Sequence, residues 1–245
     1  MKSIGVIPAR YGSTRFEGKP LAEINTKPMI EWVYKRALKS KLDKVVIATD
    51  DARIFNAVKN FGGEAILTSA CHKSGTDRIA EVVKKESGYD VVINIQGDEP
   101  LIEPRLINEL IESFEDESVD MSTFKMKIED EDELCNPNAV KVVTDKSGFA
   151  LYFSRSPIPY NRIDRVINYY RHIGIYGYRT SFLMEFSNLP ATFLEETESL
   201  EQLRALENGY KIKVLETQFS PKGVDTIEDL EEIREYVNIN KIGIE

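Results

Sequence analysis

Cysteine and histidine are scarce in this chain of 245 residues, with two of each. Cys71 and Cys135 supply neither a zinc spacing nor a disulfide framework. Two isolated thiols fit a reducing compartment, so a cytoplasmic location is expected. No apolar run approaches the roughly 20 residues that a membrane-spanning helix needs. The N-terminus enters a strand-like segment at once, without a basic-then-apolar signal pattern. Positive charge is also short: 32 Lys and Arg stand against 41 Asp and Glu, a formal net charge of −9. That balance excludes general binding to nucleic acid or to anionic membrane surfaces. Two nucleotide signatures are missing as well. Without Gly-x4-Gly-Lys-Ser/Thr the chain is not a Walker A protein, and without Gly-x-Gly-x-x-Gly after a strand it is not a dinucleotide oxidoreductase.

What the chain does have is an ordinary globular composition, 42% apolar and 30% charged, and enough length to bury a sizeable core. Its first half alternates strand-like and helix-like segments. Strands are expected at Ile4–Ile7, Lys44–Thr49, Glu64–Leu67 and Asp90–Ile95, and helices at Pro28–Leu38, Asp51–Phe61 and Thr76–Glu86. The continuously apolar segment 90–95 marks a sheet covered on both faces. This βαβα rhythm predicts a mostly parallel sheet flanked by helices, with ligands outside the carboxyl ends of the strands. The second half changes character. Longer strands are expected at Met121–Ile128 and Val140–Phe153, the latter turning at 145–148, and another at His172–Tyr178. Helices at 180–188 and 195–208, a strand at Ile212–Glu216 and a helix at Ile227–Val237 complete the pattern. Asn238–Glu245 reads as a loose tail. There is no internal repeat and no linker.

Three loops can carry chemistry. The first, residues 8–20, follows the first strand and holds Gly12, Gly18, Ser13, Thr14, Arg10, Arg15 and Lys19. Glycines let backbone N–H groups approach a ligand, and three cations in an acidic protein suit a polyanion such as a nucleoside triphosphate. The plainer alternative is a solvated basic loop. The second, Asn94-Ile-Gln-Gly-Asp-Glu-Pro100, puts Asp98 and Glu99 past the end of a buried strand. A carboxylate there is placed to hold Mg²⁺ over a triphosphate, and Asp225 in Gly223-Val-Asp-Thr226 is a second such acid. Turn chemistry for Asp98 and helix capping by Asp225 or Thr226 are the alternatives. The third, Thr68–Arg78, offers hydroxyl and backbone groups suited to a nucleobase edge, or an ordinary cap by Ser74 or Thr76. His72 shows no partner and reads as a surface residue.

Taken together, the segments IPARYGSTRFEGKPL, KPMI, ATDD, SGTDR, NIQGDEP, NPNAVKVV, ALYFSRSPIPY, RHIGIYGYR, LEQLRALENG and GVDT resemble the 3-deoxy-manno-octulosonate (Kdo) cytidylyltransferases. They run in order from residue 4 to 226. FSRSPIPY, HIGIYGYR and LEQLR are the most specific of them. One departure is Glu17, where similar chains often carry proline. The resemblance implies an α/β fold: one Rossmann-like nucleotidyltransferase domain over 1–245, a mostly parallel, mixed central sheet flanked by helices, and a smaller lobe over roughly 120–190 for acid-sugar contacts and dimerisation. It implies CTP binding by Pro8, Ala9, Arg10, Ser13, Arg15, Lys19, Ser74, Thr76 and Arg78. Catalytic roles fall to Lys19, Asp98 and Asp225, with Mg²⁺ on Asp98 and Asp225. The acid sugar falls to Gln96, Arg155, His172, Tyr176, Glu201 and Gln202.

The implied reaction is CTP + Kdo → CMP-Kdo + diphosphate, a step of lipopolysaccharide synthesis, by a homodimer that binds neither nucleic acid nor membrane. Apolar and aromatic side chains of the lobe, Phe149, Tyr152, Phe153, Tyr160, Tyr169 and Tyr170, are the candidates for covering a partner subunit. A related acid sugar such as 8-amino-Kdo is an alternative acceptor that the motifs do not separate from Kdo. A non-catalytic nucleotide-binding module is a more distant alternative, opposed by the intact acids and sugar-facing set.

Overall fold

A computed structural model describes residues 1–12, 16–72, 74–163 and 165–244. Ser13, Thr14, Arg15, Lys73, Asp164 and Glu245 lie outside them. The chain divides into two units, Met1–Ile111 with Pro221–Glu245, and Glu112–Ser220. The expected lobe falls inside the second.

The first unit runs β1 (Ser3–Ala9), a 3-10 turn (Lys19–Leu21), β2 (Glu23–Ile24), β3 (Lys27–Pro28), α1 (Met29–Ala37), β4 (Lys44–Thr49), α2 (Ala52–Asn60), β5 (Ala65–Leu67), α3 (Gly75–Lys85) and β6 (Val91–Asn94), leading into α4 (Pro104–Ser113). The strand order β6-β1-β4-β5 is parallel throughout. Val91, Val92 and Ile93 of β6 are fully buried, as are Ile4, Val6 and Ile7 of β1. Burying such side chains contributes about 1.5–3 kcal/mol each, which explains why β-branched runs occupy the centre of a sheet covered on both faces. The C-terminal helix, Ile227–Ile239, returns to this unit. Its Leu230, Ile233 and Val237 join Ile24, Met29 and Trp32 in one apolar cluster, and Trp32 donates its indole N–H to the Ile24 carbonyl at 2.9 Å.

The second unit runs β7 (Met121–Ile128), α5 (Glu131–Cys135), β8 (Lys141–Thr144), β9 (Ala150–Ser154), β10 (Tyr169–Arg179), α6 (Thr180–Phe186), α7 (Phe193–Glu198), α8 (Gln202–Glu207) and β11 (Ile212–Glu216). Here β10 is antiparallel to both β7 and β8, β8 and β9 form a hairpin, and β11 joins β7 in parallel. No helix among the described residues is long and apolar enough to cross a membrane.

The structure corrects four sequence expectations. The helix expected over 195–208 is two, because Ser199 takes a left-handed conformation at φ 50° between α7 and α8. The tail is not loose: Ile242 N–H bonds the Val237 carbonyl and Ile244 is buried in the C-terminal cluster. α4 and α5 were not anticipated. α4 buries Leu106, Ile107 and Leu110 at helical spacing, so its signal is present in the sequence; α5 has five residues and buries none. Finally, Phe153 is fully buried in the core and is not available to a partner.

Candidate active site

Parallel pairing puts the carboxyl ends of β1, β4 and β6 on one edge of the first unit. After β6 the backbone crosses close to β1. A Cβ at Gly97 would stand 2.7 Å from the Pro8 carbonyl oxygen, so this approach requires glycine and fixes where Asp98 emerges. After β1 the loop is closed at its base by Gly18, whose N–H donates to the Tyr11 carbonyl at 2.9 Å from a left-handed conformation at φ 71°. The 3-10 turn then delivers Lys19. Its ammonium donates to Asp98 Oδ2 at 2.8 Å and to the Val224 carbonyl at 2.7 Å, and reaches Asp225 Oδ1 at 3.4 Å. A backbone bond from Val224 N–H to the Asp98 carbonyl, 2.9 Å, ties the two acidic loops together.

Asp225 does not cap the C-terminal helix. Thr226 does, in a capping box with Asp229, a Thr-x-x-Asp pattern of the kind that marks helix starts in sequence. The Asp229 carboxylate accepts the N–H groups of Asp225 and Thr226 at 2.8 Å each. The Asp225 N–H is the main cause of holding the Asp229 carboxyl below its ordinary pKa. The Asp225 side chain is thereby left to face Lys19. The Lys19 side chain is only 13% exposed, whereas Asp98 and Asp225 keep 35% and 49%. One cation thus already sits among three hard oxygen donors, and the carboxylates still face water. Among the described residues no group of three or more His, Cys, Asp or Glu could hold a metal. A divalent ion on this pair would complete its shell with substrate oxygens and water, the usual habit of Mg²⁺.

The other expected CTP residues fare differently. Arg10 is exposed just past β1, and Ser13 and Arg15 lie outside the described residues. Pro8 packs where a Cβ on Gly75 would stand, 3.6 Å from its Cγ, so the start of α3 lies against the end of β1. Ala9 and Thr76 are buried. Ser74 caps α3, its hydroxyl accepting the Asp77 N–H at 3.1 Å. Arg78 is 1% exposed; its guanidinium bonds Asp50 at 2.9 Å and the Thr68 hydroxyl. Both side chains are thus committed to fixing this edge of the unit. His72 is corrected: its ring bonds Glu81. Glu81 is pushed down to about 2, chiefly by Lys85, then by the Ser69 N–H. The sequence expectations also missed Arg53, whose guanidinium lies 3.2 Å above the Tyr11 ring and pairs with Asp51 at 2.7 Å. Nothing in its spacing marks it.

Most of the expected sugar residues lie in the second unit; Gln96 belongs to the first, just after β6. In an unbroken strand His172 and Tyr176 would be about 13 Å apart, four residues at ~3.3 Å each. Their ring centroids lie 5.3 Å apart, because the register with β7 slips between Ile173 and Gly177. Desolvation pushes the His172 imidazole down to about 3. Burial, then Tyr178 and Glu201, raise the Tyr176 phenol well above its usual value. Glu201 opens α8 and Gln202 is buried in its first turn. Arg155 holds the break before them. Its Nε donates to the Glu198 carbonyl at 2.7 Å, Nη1 to the Pro137 carbonyl at 2.9 Å and Nη2 to the Ser199 carbonyl at 3.3 Å. The Glu198 carboxylate accepts the Arg155 N–H at 2.9 Å and the Ser154 hydroxyl at 2.7 Å.

The chain is similar to known proteins over almost its whole length. A family model described as Cytidylyltransferase matches residues 4–212. A curated relative from Fusobacterium nucleatum subsp. nucleatum, 3-deoxy-manno-octulosonate cytidylyltransferase, is 60% identical over 245 residues, all of both chains. One of the same name from Thermodesulfovibrio yellowstonii is 54% identical over 97% of this chain and 99% of its own. A solved CMP:2-keto-3-deoxy-manno-octonic acid synthetase, complexed with CTP, superposes with a TM-score of 0.94 at 45% identity, covering 98% of this chain and 100% of that one.

Proposed function

The chain belongs to the cytidylyltransferase family, and from that premise we propose the reaction, the site and the assembly. The reaction is transfer of the cytidylyl group of CTP to Kdo, giving CMP-Kdo and diphosphate for lipopolysaccharide synthesis. The anomeric hydroxyl of the sugar attacks the α-phosphorus, its oxygen forms the new P–O bond, and the bond to the bridging oxygen of the diphosphate breaks. The hydroxyl proton passes to solvent. No covalent nucleophile is needed, so positioning and electrostatic stabilisation carry the rate.

The observation that carries this reading is the ammonium of Lys19 held between Asp98, Asp225 and the Val224 carbonyl at the mouth of the basic loop. Lys19, with Arg10 and Arg15, supplies the positive charge for the leaving diphosphate. Asp98 and Asp225 would hold Mg²⁺, for which their oxygen donors fit. When bound, that ion supplies Lewis acidity toward phosphate oxygens. Pro8 and Ala9 line the cytosine side, where Ser74, Thr76 and Arg78 act by fixing the shape of the edge. Gln96, Arg155, His172, Tyr176, Glu201 and Gln202 recognise the acid sugar. Diphosphate release from CTP and Kdo tests the reaction, and no release above a protein-free control would refute it. Product analysis with Kdo and 8-amino-Kdo side by side identifies the acceptor.

The assembly is a two-fold homodimer. In support, the second unit exposes Tyr160, Ile163 and Val166 at 88%, 68% and 100% of their surface, close together in the chain, and two-fold pairing is the commonest way to cover such a patch. A monomeric mass by light scattering at micromolar concentration would overturn this part.

A further inference from the structure

β10 pairs with β7 as far as Ile173–Phe124 and resumes at Gly177–Ser122, so three residues, Gly174 to Tyr176, stand opposite the single Thr123. Irregularities of this kind re-aim side chains and cluster at functional sites. Thr123 is fully buried. Its hydroxyl oxygen lies 3.0 Å from the Ile173 carbonyl, 2.8 Å from the Ile175 carbonyl and 3.0 Å from His172 Nε2.

A threonine hydroxyl carries one proton and two lone pairs. Both carbonyls only accept, so they take that proton. A lone pair then faces Nε2, and the contact is a hydrogen bond only if Nε2 carries the ring hydrogen. His172 is neutral, since desolvation of its ring pushes its pKa down to about 3. A neutral ring protonated at Nε2 leaves a lone pair on Nδ1. No described protein group bonds Nδ1, and the residue is only half-buried. Phe153 meets the ring edge-on at 5.1 Å and Tyr176 lies tilted at 5.3 Å, so these neighbours fix the ring plane.

We propose that Thr123 is a positioning residue for the acceptor sugar: its hydroxyl pins the irregular turn of β10 and holds His172 as the Nε2–H tautomer, which presents Nδ1 as an acceptor to a sugar hydroxyl. This rests on the reading of His172 as a sugar contact, and two separate readouts keep the two claims apart. The chain has only two histidines, so ring ¹⁵N spectra assigned with a His72→Gln variant report the His172 tautomer directly. The wild type shows Nε2–H. Thr123→Ser keeps it, and Thr123→Val loses it. The Kdo KM rises about fivefold in Thr123→Val, the size of one lost neutral hydrogen bond, and stays near wild type in Thr123→Ser; the CTP KM is unchanged in both. A wild-type ring protonated at Nδ1 overturns the proposal, and this holds even if Thr123→Val does not fold. So does an unchanged tautomer in a folded Thr123→Val. A changed tautomer with an unchanged Kdo KM overturns the sugar-recognition part and removes His172 from the site, while leaving the Thr123 bond in place.

Discussion

The two units build their candidate groups by opposite means. In the first, the four strands of the main sheet, β6-β1-β4-β5, run parallel, and Asp98 emerges past the end of β6. Its position follows from chain direction: whatever residues follow a parallel strand must lie on the carboxyl edge. In the second, the groups sit within an antiparallel strand, and His172 meets Tyr176 only because β10 departs from regular register. Regular structure therefore advertises a site at its ends, whereas a site inside a strand depends on a break in regularity. A mutation in the first unit should strike charge and chemistry directly. One in the second should act through acceptor recognition and the geometry that supports it.

The largest effect tests the first half of that contrast. Asp98→Asn or Asp225→Asn should lower kcat by on the order of a hundredfold or more with the fold intact, since losing a group that stabilises developing charge costs several kcal/mol. Each also leaves Lys19 with one fewer anionic partner. Steady-state kinetics at saturating CTP and Kdo, with circular dichroism as the folding control, measure it. Near-normal turnover in both variants would move the chemistry away from this edge.

Arg155→Lys probes the second unit at smaller scale. Lysine cannot reproduce the guanidinium fork, so the Kdo KM should rise about tenfold, roughly 1.4 kcal/mol, with the CTP KM unchanged. The three guanidinium nitrogens bond the carbonyls of Glu198, Pro137 and Ser199, so lysine, which keeps the charge but not the fork, would no longer hold that charge in place for the proposed sugar carboxylate. A fall in melting temperature with an unchanged Kdo KM would make Arg155 a support for the α7–α8 break alone.

What the sequence made legible follows the same division. β1, β4 and β6 were readable from β-branched runs, and Asp98 and Asp225 from their places after strands. The Lys19 bridge was not, because it joins residues 205 positions apart through a turn whose geometry rests on Gly18. In the second unit β7, β8, β9 and β10 were readable as strands. The register slip was not, because RHIGIYGYR still alternates acceptably for a regular strand. Without the family resemblance His172 reads as a core histidine, and its desolvated ring agrees in part with that. Thr123 carries no local signal at all; its role exists only opposite the slip. Ser199 hid for a similar reason, since a left-handed serine between two short helices leaves the apolar spacing nearly continuous.

The desolvated imidazole of His172 gives the second unit a pH signature. The folded-state pKa of His172, about 3, lies below the ordinary value near 6.5. Between these limits the unfolded chain binds a proton that the folded chain does not. Stability is therefore fully present above about pH 6.5 and declines as pH falls toward 3. Many carboxylates also titrate there, so the informative quantity is a difference. Between pH 7 and pH 5, wild type should lose about 4 °C more in melting temperature than His172→Gln. Equal losses would mean that the ring is solvated and protonates freely in the folded state.

The smallest predicted effect asks whether the first unit's edge also contains purely structural groups. Ser74 was expected at the cytosine, and it is also the N-cap of α3. Its hydroxyl accepts the Asp77 N–H, and the Asp77 carboxylate accepts the Ser74 N–H at 3.3 Å, so both halves of a capping box are present. A hydroxyl engaged in this way fixes the backbone that runs against Pro8 but has little left for a base edge. Removing such a cap costs about 1 kcal/mol, which for a chain of this size is about 2 °C in melting temperature. Ser74→Ala should show that loss with the CTP KM within about threefold, because the backbone groups of the edge remain. Ser74→Asp, which retains a capping oxygen, should recover the melting temperature. If Ser74→Ala instead raised the CTP KM tenfold with no change in melting temperature, the hydroxyl would be a nucleotide ligand, and the cap would be incidental to it.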